Sequence, residues 1–471
     1  MVSVLWGYIC ARRAQTHYAP SMRSLEVQWR NFRGLLRPAR WVFPRISVLI
    51  GRNNVGKTSA YAPLLVMRQT LDARDPATAL LSRGSLIDIG NYEDFVYGHD
   101  VERDVSFRIS LPDGSHRGIA RRKPDEVAFT VSGQGSPTPW IRTHTIYESG
   151  RAITHRSRDG AGEAFNFTSP LLPANTSVGR PLKEVSSLKE ALTREQPRGF
   201  MFSGFEGLRL PVAWRQDPDR WAKVRPWFNA VNELYDFQHS ASLMLERTLR
   251  GIAYLGPLRS LPQRTYRLAA ERPADVGREG EFAPELLFRH RGTEVTVQVE
   301  KWLRELGYGS LSFEQAGDEY FQLYLQARGG QKVNIAHSGV GVSQLLPILV
   351  QGFTAPREAT FISQQPEIHL NPAQQSLIAD FLIEASLGKR VIIETHSEHV
   401  LLRIRRRIAE GALSADEVAI YYFDSKEGST IVRRVPLGDA GEVEREDWPV
   451  GFFEEQLEDS FALAAAQAKR G

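Results

Sequence analysis

The chain has 471 residues, with 59 Lys and Arg against 55 Asp and Glu, a formal net charge of +4, and 42% apolar and 24% charged residues. That is the composition of a soluble globular protein with length for about three domains, and its weak positive field permits nucleic-acid contact without requiring it. The single cysteine, Cys10, excludes an internal disulfide and a cysteine-based zinc site and fits a reducing, cytoplasmic compartment. No apolar run approaches the roughly 18 residues of a spanning helix, so no membrane partner is expected.

Met1 to Cys10 is apolar but short, with no basic stretch ahead of it, and does not read as a signal peptide. Residues 1–21 read as an N-terminal extension, the alternative being a first strand. Leu25 to Phe32 alternates as a half-buried strand, turned by Arg33-Gly34. Ile46-Ser47-Val48-Leu49-Ile50 is a buried strand, followed by Gly51-Arg52-Asn53-Asn54-Val55-Gly56-Lys57-Thr58-Ser59 and a helix-compatible run through Ala60, Leu64, Leu65 and Met67. Between about 100 and 170, short alternating strands (105–111, 126–131, 144–148, 165–168) predict an antiparallel sheet. Residues 175–215, rich in Ser, Pro and Arg, read as a loop-dominated linker or cap. Trp221, Val224, Trp227, Phe228, Val231, Leu234 and Tyr235 recur at helical spacing, predicting an arm or lid within 217–250, broken near Gln238-His239. Residues 251–287 show no clear period. Val295–Leu306 reads as helix and 310–327 as strands; 338–410 alternates helix and strand in α/β fashion.

The stretch after Ile50 is G-x-x-x-x-G-K-[ST] between a strand and a helix. Gly51 and Gly56 let the backbone wrap so that N–H groups point inward at phosphate oxygens. Lys57 supplies a mobile charge to the β- and γ-phosphates, and the Thr58 hydroxyl is a ligand for Mg²⁺. The helix N-terminus that follows adds partial positive charge to the same anion site. Asn53 and Asn54 suit left-handed backbone and need no chemical role.

A second constellation lies downstream. Ser338-Gly339-Val340-Gly341-Val342-Ser343-Gln344 is a small-residue loop opening a helix over 345–351. Thr360-Phe361-Ile362 leads into Ser363-Gln364-Gln365-Pro366-Glu367-Ile368-His369-Leu370-Asn371-Pro372, and Val391-Ile392-Ile393-Glu394 ends at Thr395-His396-Ser397. On these residues the chain resembles an ABC-type ATPase of the OLD-like branch, the stand-alone AAA-domain ATPases of bacterial antiphage defence systems such as Septu or PARIS. Gln364 to Pro372 stands where that family has its Walker B stretch. Ser338 to Gln344 is similar to its signature loop, and His396 to its switch histidine. Tyr254-Leu255-Gly256-Pro257-Leu258-Arg259 and the tail Trp448-Pro449 with Gly451-Phe452-Phe453 also look like stretches of that family. The resemblance covers roughly residues 22–70 and 250–460.

The resemblance implies an α/β fold: a P-loop ABC-type ATPase head with a mixed sheet, split into 22–100 and 251–471 around an inserted antiparallel β and helical region at 101–250. It implies a homodimer or higher homo-oligomer with ATP and Mg²⁺ between the phosphate loop of one protomer and the signature loop of the other. In such a dimer Gly51, Asn53, Asn54, Val55, Gly56, Lys57, Thr58, Ser59, Ser338, Gly339 and Gly341 would bind nucleotide. Thr58 and Gln364 would hold the metal, and Gln364, Gln365 and His396 would serve hydrolysis. It also implies a separate nuclease or toxin effector chain, since no nuclease pattern is present here.

The departure is at Gln364-Gln365, two neutral amides where the family expects a carboxylate for Mg²⁺ and water. Either an engineered Glu→Gln exchange traps ATP, or the protein is a natural slow or non-hydrolysing ATP sensor. Glu367 follows Pro366 and reads as a cap for the next helix, the alternative being that it substitutes for the missing carboxylate, and His369 reads as structural. The run Arg403, Arg405, Arg406, Arg407 reads as a solvated helix face, with DNA contact as the alternative. Arg259, Arg264, Arg272 and Arg278 read as surface charge, or as lining a DNA or partner groove, or as reaching a phosphate across a dimer. The rivals to an antiphage switch are a DNA-repair or chromosome-handling ATPase acting on DNA ends, with nucleic acid as partner, and a scaffold in which ATP is structural.

Overall fold

The computed structural model describes residues 23–112, 122–136, 138–173, 183–202, 217–326 and 330–444. The expected N-terminal extension and the tail at Trp448–Phe453 lie outside these residues. In chain order the strands and helices begin with β1 (Leu25–Arg30), β2 (Ala39–Phe43), β3 (Ile46–Gly51), α1 (Ala62–Thr70) and α2 (Tyr92–Phe95). There follow β4 (Val105–Ser110), β5 (Glu126–Ser132), β6 (Trp140–Glu148), β7 (Arg151–Ser157), β8 (Asn166–Thr168), α3 (Lys183–Arg194) and α4 (Pro218–Arg250). Next come β9 (Ile252–Leu255), β10 (Tyr266–Arg267), α5 (Ala283–Arg289), α6 (Glu294–Glu305), β11 (Ser310–Ala316), β12 (Tyr320–Gln326) and β13 (Lys332–Asn334). The series ends with α7 (Val340–Thr354), β14 (Thr360–Gln364), α8 (Pro372–Ala385), β15 (Arg390–Glu394), α9 (Glu398–Ala409), β16 (Val418–Lys426) and β17 (Ser429–Val435).

The chain divides into two compact units, one comprising Leu25–Val42 and Thr58–Arg250, the other Phe43–Lys57 with Gly251 onward and the segment through Ser24. In the first unit a seven-stranded sheet runs β2-β1-β4-β5-β6-β7-β8. Apolar residues alternate along β1 and β4, as a sheet with one packed face requires. Residues 183–194 are helix rather than linker. Val185, Leu188 and Leu192 form an apolar stripe that packs on Val224, Trp227 and Val231 of α4, a helical period that the polar flanks obscure in the sequence. The expected break at Gln238-His239 is absent, and α4 is one helix of 33 residues. The polar residues there are accommodated sideways: Gln238 Nε2 donates to Glu195 Oε1 at 2.7 Å, and the His239 ring stacks on Tyr235 one turn earlier.

The second unit holds a six-stranded sheet in the order β17-β16-β3-β15-β14-β9. β16, β3, β15, β14 and β9 are mutually parallel, and only β17 at the edge is antiparallel. Every residue of β3, β15 and β9 is buried. Parallel strands covered on both faces read as unbroken apolar runs for that reason. A smaller sheet, β10-β12-β11 with β13 beside β12, belongs to the same unit, as does a core shared by α5 to α9 around Trp302, Phe381 and Phe321. α7 extends from Val340, earlier than the expected 345, and runs on to Thr354.

Of the arginine run on α9, Arg406 is exposed as expected, and Arg403, Arg405 and Arg407 form an internal brace. Arg407 forks onto Asp380 of α8 at 2.6 and 2.7 Å, and Arg403 reaches the same carboxylate at 3.0 Å. Arg405 donates to the Gly441 carbonyl and Arg406 to Glu410. Asp380 is only 2% exposed, so removing it takes the carboxylate from Arg403 and leaves the buried Arg407 with Glu410 alone of its two acidic partners. Asp380→Ala should therefore destabilise the fold by about 3–5 kcal/mol, read by denaturant unfolding; a loss below about 1 kcal/mol would mean the pair is no more than a surface contact.

Candidate nucleotide site at the edge of the parallel sheet

In an open parallel sheet, ligands bind beyond the carboxyl ends of the strands. Here those ends bring together, from adjacent strands, the Gly51 loop after β3, Glu394-Thr395-His396 after β15, Gln364-Gln365 after β14, and Gly256–Arg259 after β9.

The loop has the backbone that the glycines permit. Gly51 has φ +142° and Gly56 φ +91°, and Asn54 takes left-handed backbone at φ 61° as its side chain allows. Asn53 and Asn54 are exposed, and Val55 is buried as the loop's apolar anchor. Lys57 is 5% exposed, and its ammonium donates to the carbonyls of Gly51 (3.1 Å) and Arg52 (2.7 Å). Burial lowers its pKa, while the charges of Glu394 and then Glu367 push it back up. Lys57–Ala60 is a 3-10 turn, and the α-helix proper begins at Ala62, where Pro63 fixes its first turn. The expected helix N-terminus therefore stands one turn further along the chain than the phosphate-loop motif alone suggests. Thr58 lies within that turn, and Ser59 is fully buried.

At the β14 end, Tyr254 donates its hydroxyl to Gln364 Oε1 at 2.8 Å, which turns the amide nitrogen toward Glu394 Oε1 at 3.2 Å. Gln365 takes positive φ, and its N–H donates to the Glu394 carbonyl at 2.7 Å. Glu394 is 4% exposed. Glu367 does not cap a helix: Asn371 and Gln374 form the capping box of α8. Glu367, 9% exposed, accepts the His396 N–H at 2.8 Å, and burial raises its pKa. The His396 imidazole has its pKa lowered by burial and by Lys57, which favours the neutral ring. His369 has φ 63° in the turn before α8, a structural position.

Arg259 differs from the other arginines of its segment. It is 7% exposed, its Nη2 donates to the carbonyls of Gln364 (3.1 Å) and Gln365 (3.3 Å), and its Nε and Nη1 are buried without a partner. Burial lowers its pKa to about 10, against the opposing pull of Glu367. Arg272 by contrast is an exposed neighbour of His290. Buried cations and carboxylates thus share this edge: Lys57 at the loop, Glu394 and Glu367 behind it, and Arg259 at the β9 side. Sequence reasoning placed Arg259 in an irregular segment and attached no chemistry to Glu394; only the register reveals either.

The signature-like residues lie elsewhere in the same unit. Ser338 Oγ donates to the Ile335 carbonyl at 2.6 Å, Gly339 is the exposed N-cap of α7 with no side-chain cap, and Gly341 has no room for a Cβ because the Tyr308 hydroxyl covers it.

A parallel α/β sheet with a phosphate loop at its carboxyl edge defines the class as a P-loop nucleotide-binding protein. The family model described as "AAA domain, putative AbiEii toxin, Type IV TA system" matches residues 46–403, more than half of the chain, and the chain belongs to that AAA-domain ATPase family. A second model, "Protein of unknown function (DUF3696)", matches residues 413–463. No curated protein matches the chain. Among solved structures, an SMC head bound to the C-winged helix domain of ScpA is 11% identical with a TM-score of 0.42, covering 89% of this chain and 99% of that one. The SMC head domain from Thermotoga maritima is 10% identical with a TM-score of 0.38 over 88% and 100% of the two chains. The Smc head domain with an extended coiled coil derived from Pyrococcus furiosus is 13% identical with a TM-score of 0.39 over 88% and 96%.

Gly51 is required by both its backbone and its surroundings, since a Cβ there would strike the Phe423 carbonyl of β16. Gly51→Ala should cost about 1–3 kcal/mol in backbone strain alone and lower the melting temperature. Gly339→Ala, with nothing within 4 Å of the added carbon, should leave melting unchanged. Equal melting of both variants with the parent would contradict the described loop.

Proposed function

We propose that this chain is an ATP-dependent molecular switch, an ABC-type ATPase subunit that dimerises around nucleotide and controls a separate nuclease or toxin effector in antiphage defence. The single observation that carries the nucleotide part is the convergence of Lys57, His396, Glu394, Gln364 and Arg259 on one carboxyl edge of parallel strands. Such an edge supplies what a triphosphate needs: inward N–H groups, a mobile ammonium, and carboxylates for the metal that accompanies it.

In this reading Gly51 to Ser59 cradle the phosphates, with Lys57 exchanging its carbonyl partners for phosphate oxygens and Thr58 offering its hydroxyl to Mg²⁺. Bound there, Mg²⁺ would neutralise charge between the β- and γ-phosphates. The residues present fit a hard, oxygen-seeking ion, since the Glu394 carboxylate stands at the end of the strand beside the loop, while the Gln364 amide oxygen is taken by Tyr254. Ser338, Gly339 and Gly341, at an α7 N-terminus without a side-chain cap, would close on the γ-phosphate of a second protomer. His396, held through its backbone by Glu367, would report that phosphate. Two amides at Gln364 and Gln365 support slow turnover, with ATP acting chiefly as part of the interface.

Lys57→Ala should weaken binding of a fluorescent ATP analogue roughly 10- to 100-fold, the worth of a hydrogen bond to a charged group. It should also abolish the ATP-dependent doubling of mass that a nucleotide-held dimer would show by light scattering. Retained affinity would remove the loop from the site. Tight binding of DNA that falls steeply with salt would instead favour the chromosome-handling reading, and nucleotide without effect on mass or partner binding would favour the scaffold.

A further inference from the structure

Building on the nucleotide site proposed above, we infer that Glu394 at the end of β15 supplies the metal-holding carboxylate that the β14 end lacks, so that Mg²⁺ is held through Glu394 and Gln364 is its positioning partner.

The register makes the first argument. Gln364 and Glu394 are parallel partners, and Glu394 is in turn paired with Leu49 of the loop-bearing β3. β15 lies between β14 and β3, so Glu394 stands one strand closer to the phosphate loop than Gln364, a step of about 4.8 Å. The second argument is chemical. The oxygen of the Gln364 amide is engaged by Tyr254, and its nitrogen faces Glu394. An amide so oriented is a donor to a carboxylate, which fixes one Glu394 oxygen and its direction, much as an outer partner fixes a metal ligand. The third is electrostatic. Of the two carboxylates that act on Lys57, Glu394 is the stronger influence, while Glu367 is engaged by the His396 N–H.

Among the described residues no group of three or more His, Cys, Asp or Glu side chains is gathered for a metal. A nucleotide site needs none, since Mg²⁺ there takes one or two carboxylates and completes its shell with phosphate and water oxygens. Arg259, nine-tenths buried with Nε and Nη1 unpartnered, donates to the Gln364 and Gln365 carbonyls from the β9 side.

The pairing also distinguishes Gln364 from a glutamate at the same position. A glutamate would replace the amide N–H that now meets Glu394 Oε1 at 3.2 Å with a second acceptor, and the two side chains would lose that hydrogen bond. Gln364 is then the complement of Glu394.

The test titrates MgCl₂ against full-length protein with a fluorescent ATP analogue, beside a parallel series in EDTA. Glu394→Gln should raise the Mg²⁺ needed for half-maximal binding about 10- to 100-fold, with affinity in EDTA not weakened, since the charge removed beside Lys57 is one that opposes a polyanion. Gln364→Glu alone should show no gain in Mg²⁺ affinity, and the exchange Gln364→Glu with Glu394→Gln should recover part of the loss. Phosphate release should follow the same order. If Glu394→Gln melts early, Glu394→Asp, which keeps the charge and shortens its reach, must move the Mg²⁺ requirement in the same direction. A folded Glu394→Gln with the parent's Mg²⁺ dependence, or a Gln364→Glu that sharpens it, overturns the assignment. Absence of nucleotide binding by the parent itself overturns the underlying site, and with it this one.

Discussion

Parallel pairing of β14 with β15, and of β15 with β3, places three strand ends side by side and thereby decides which side chains meet. Gln364 faces Glu394 because their strands end in register, and Lys57 feels Glu394 because β15 lies next to the strand that launches the loop. A slip of one residue in β15 would turn Glu394 to the opposite face. The buried runs on β3, β15 and β9 hold that register, so the site's chemistry rests on the hydrophobic core beneath it.

Buried charge is costly unless it is paired or hydrogen-bonded, yet this edge gathers Lys57, Glu394, Glu367 and Arg259, each less than a tenth exposed. The partners explain how they coexist. Backbone carbonyls receive Lys57 and Arg259, the Gln364 amide reaches Glu394, and the His396 N–H reaches Glu367. Such an arrangement holds donors and acceptors in fixed directions, which is the preorganisation that electrostatic sites depend on.

The strands at 46–51, 360–364 and 390–394 were legible because each is a continuous apolar run that ends at a turn signal. β9 was not, since its four residues follow directly on the long α4 and open a segment crowded with Arg and Pro. β16 carries the same signal in Val418 to Phe423 and could have been read on it alone, but no motif drew notice to it. The phosphate loop was visible as a local pattern. Glu394 was hidden because its meaning depends on Gln364, far away in sequence, and register between distant parallel strands leaves no local trace. Arg259 was set among surface arginines because composition cannot tell a buried guanidinium from an exposed one.

The central claim is that nucleotide and metal meet at this edge through Lys57 and Glu394. It is tested most directly by a crystal structure of the full chain with a non-hydrolysable ATP analogue and Mn²⁺, the ion located by its anomalous signal. That structure should show triphosphate in the Gly51–Thr58 loop and the Mn²⁺ peak within coordination distance of a Glu394 oxygen, or one water away, with Gln364 still donating to that carboxylate. Nucleotide elsewhere, or Mn²⁺ on the phosphates with Glu394 turned away, would contradict it.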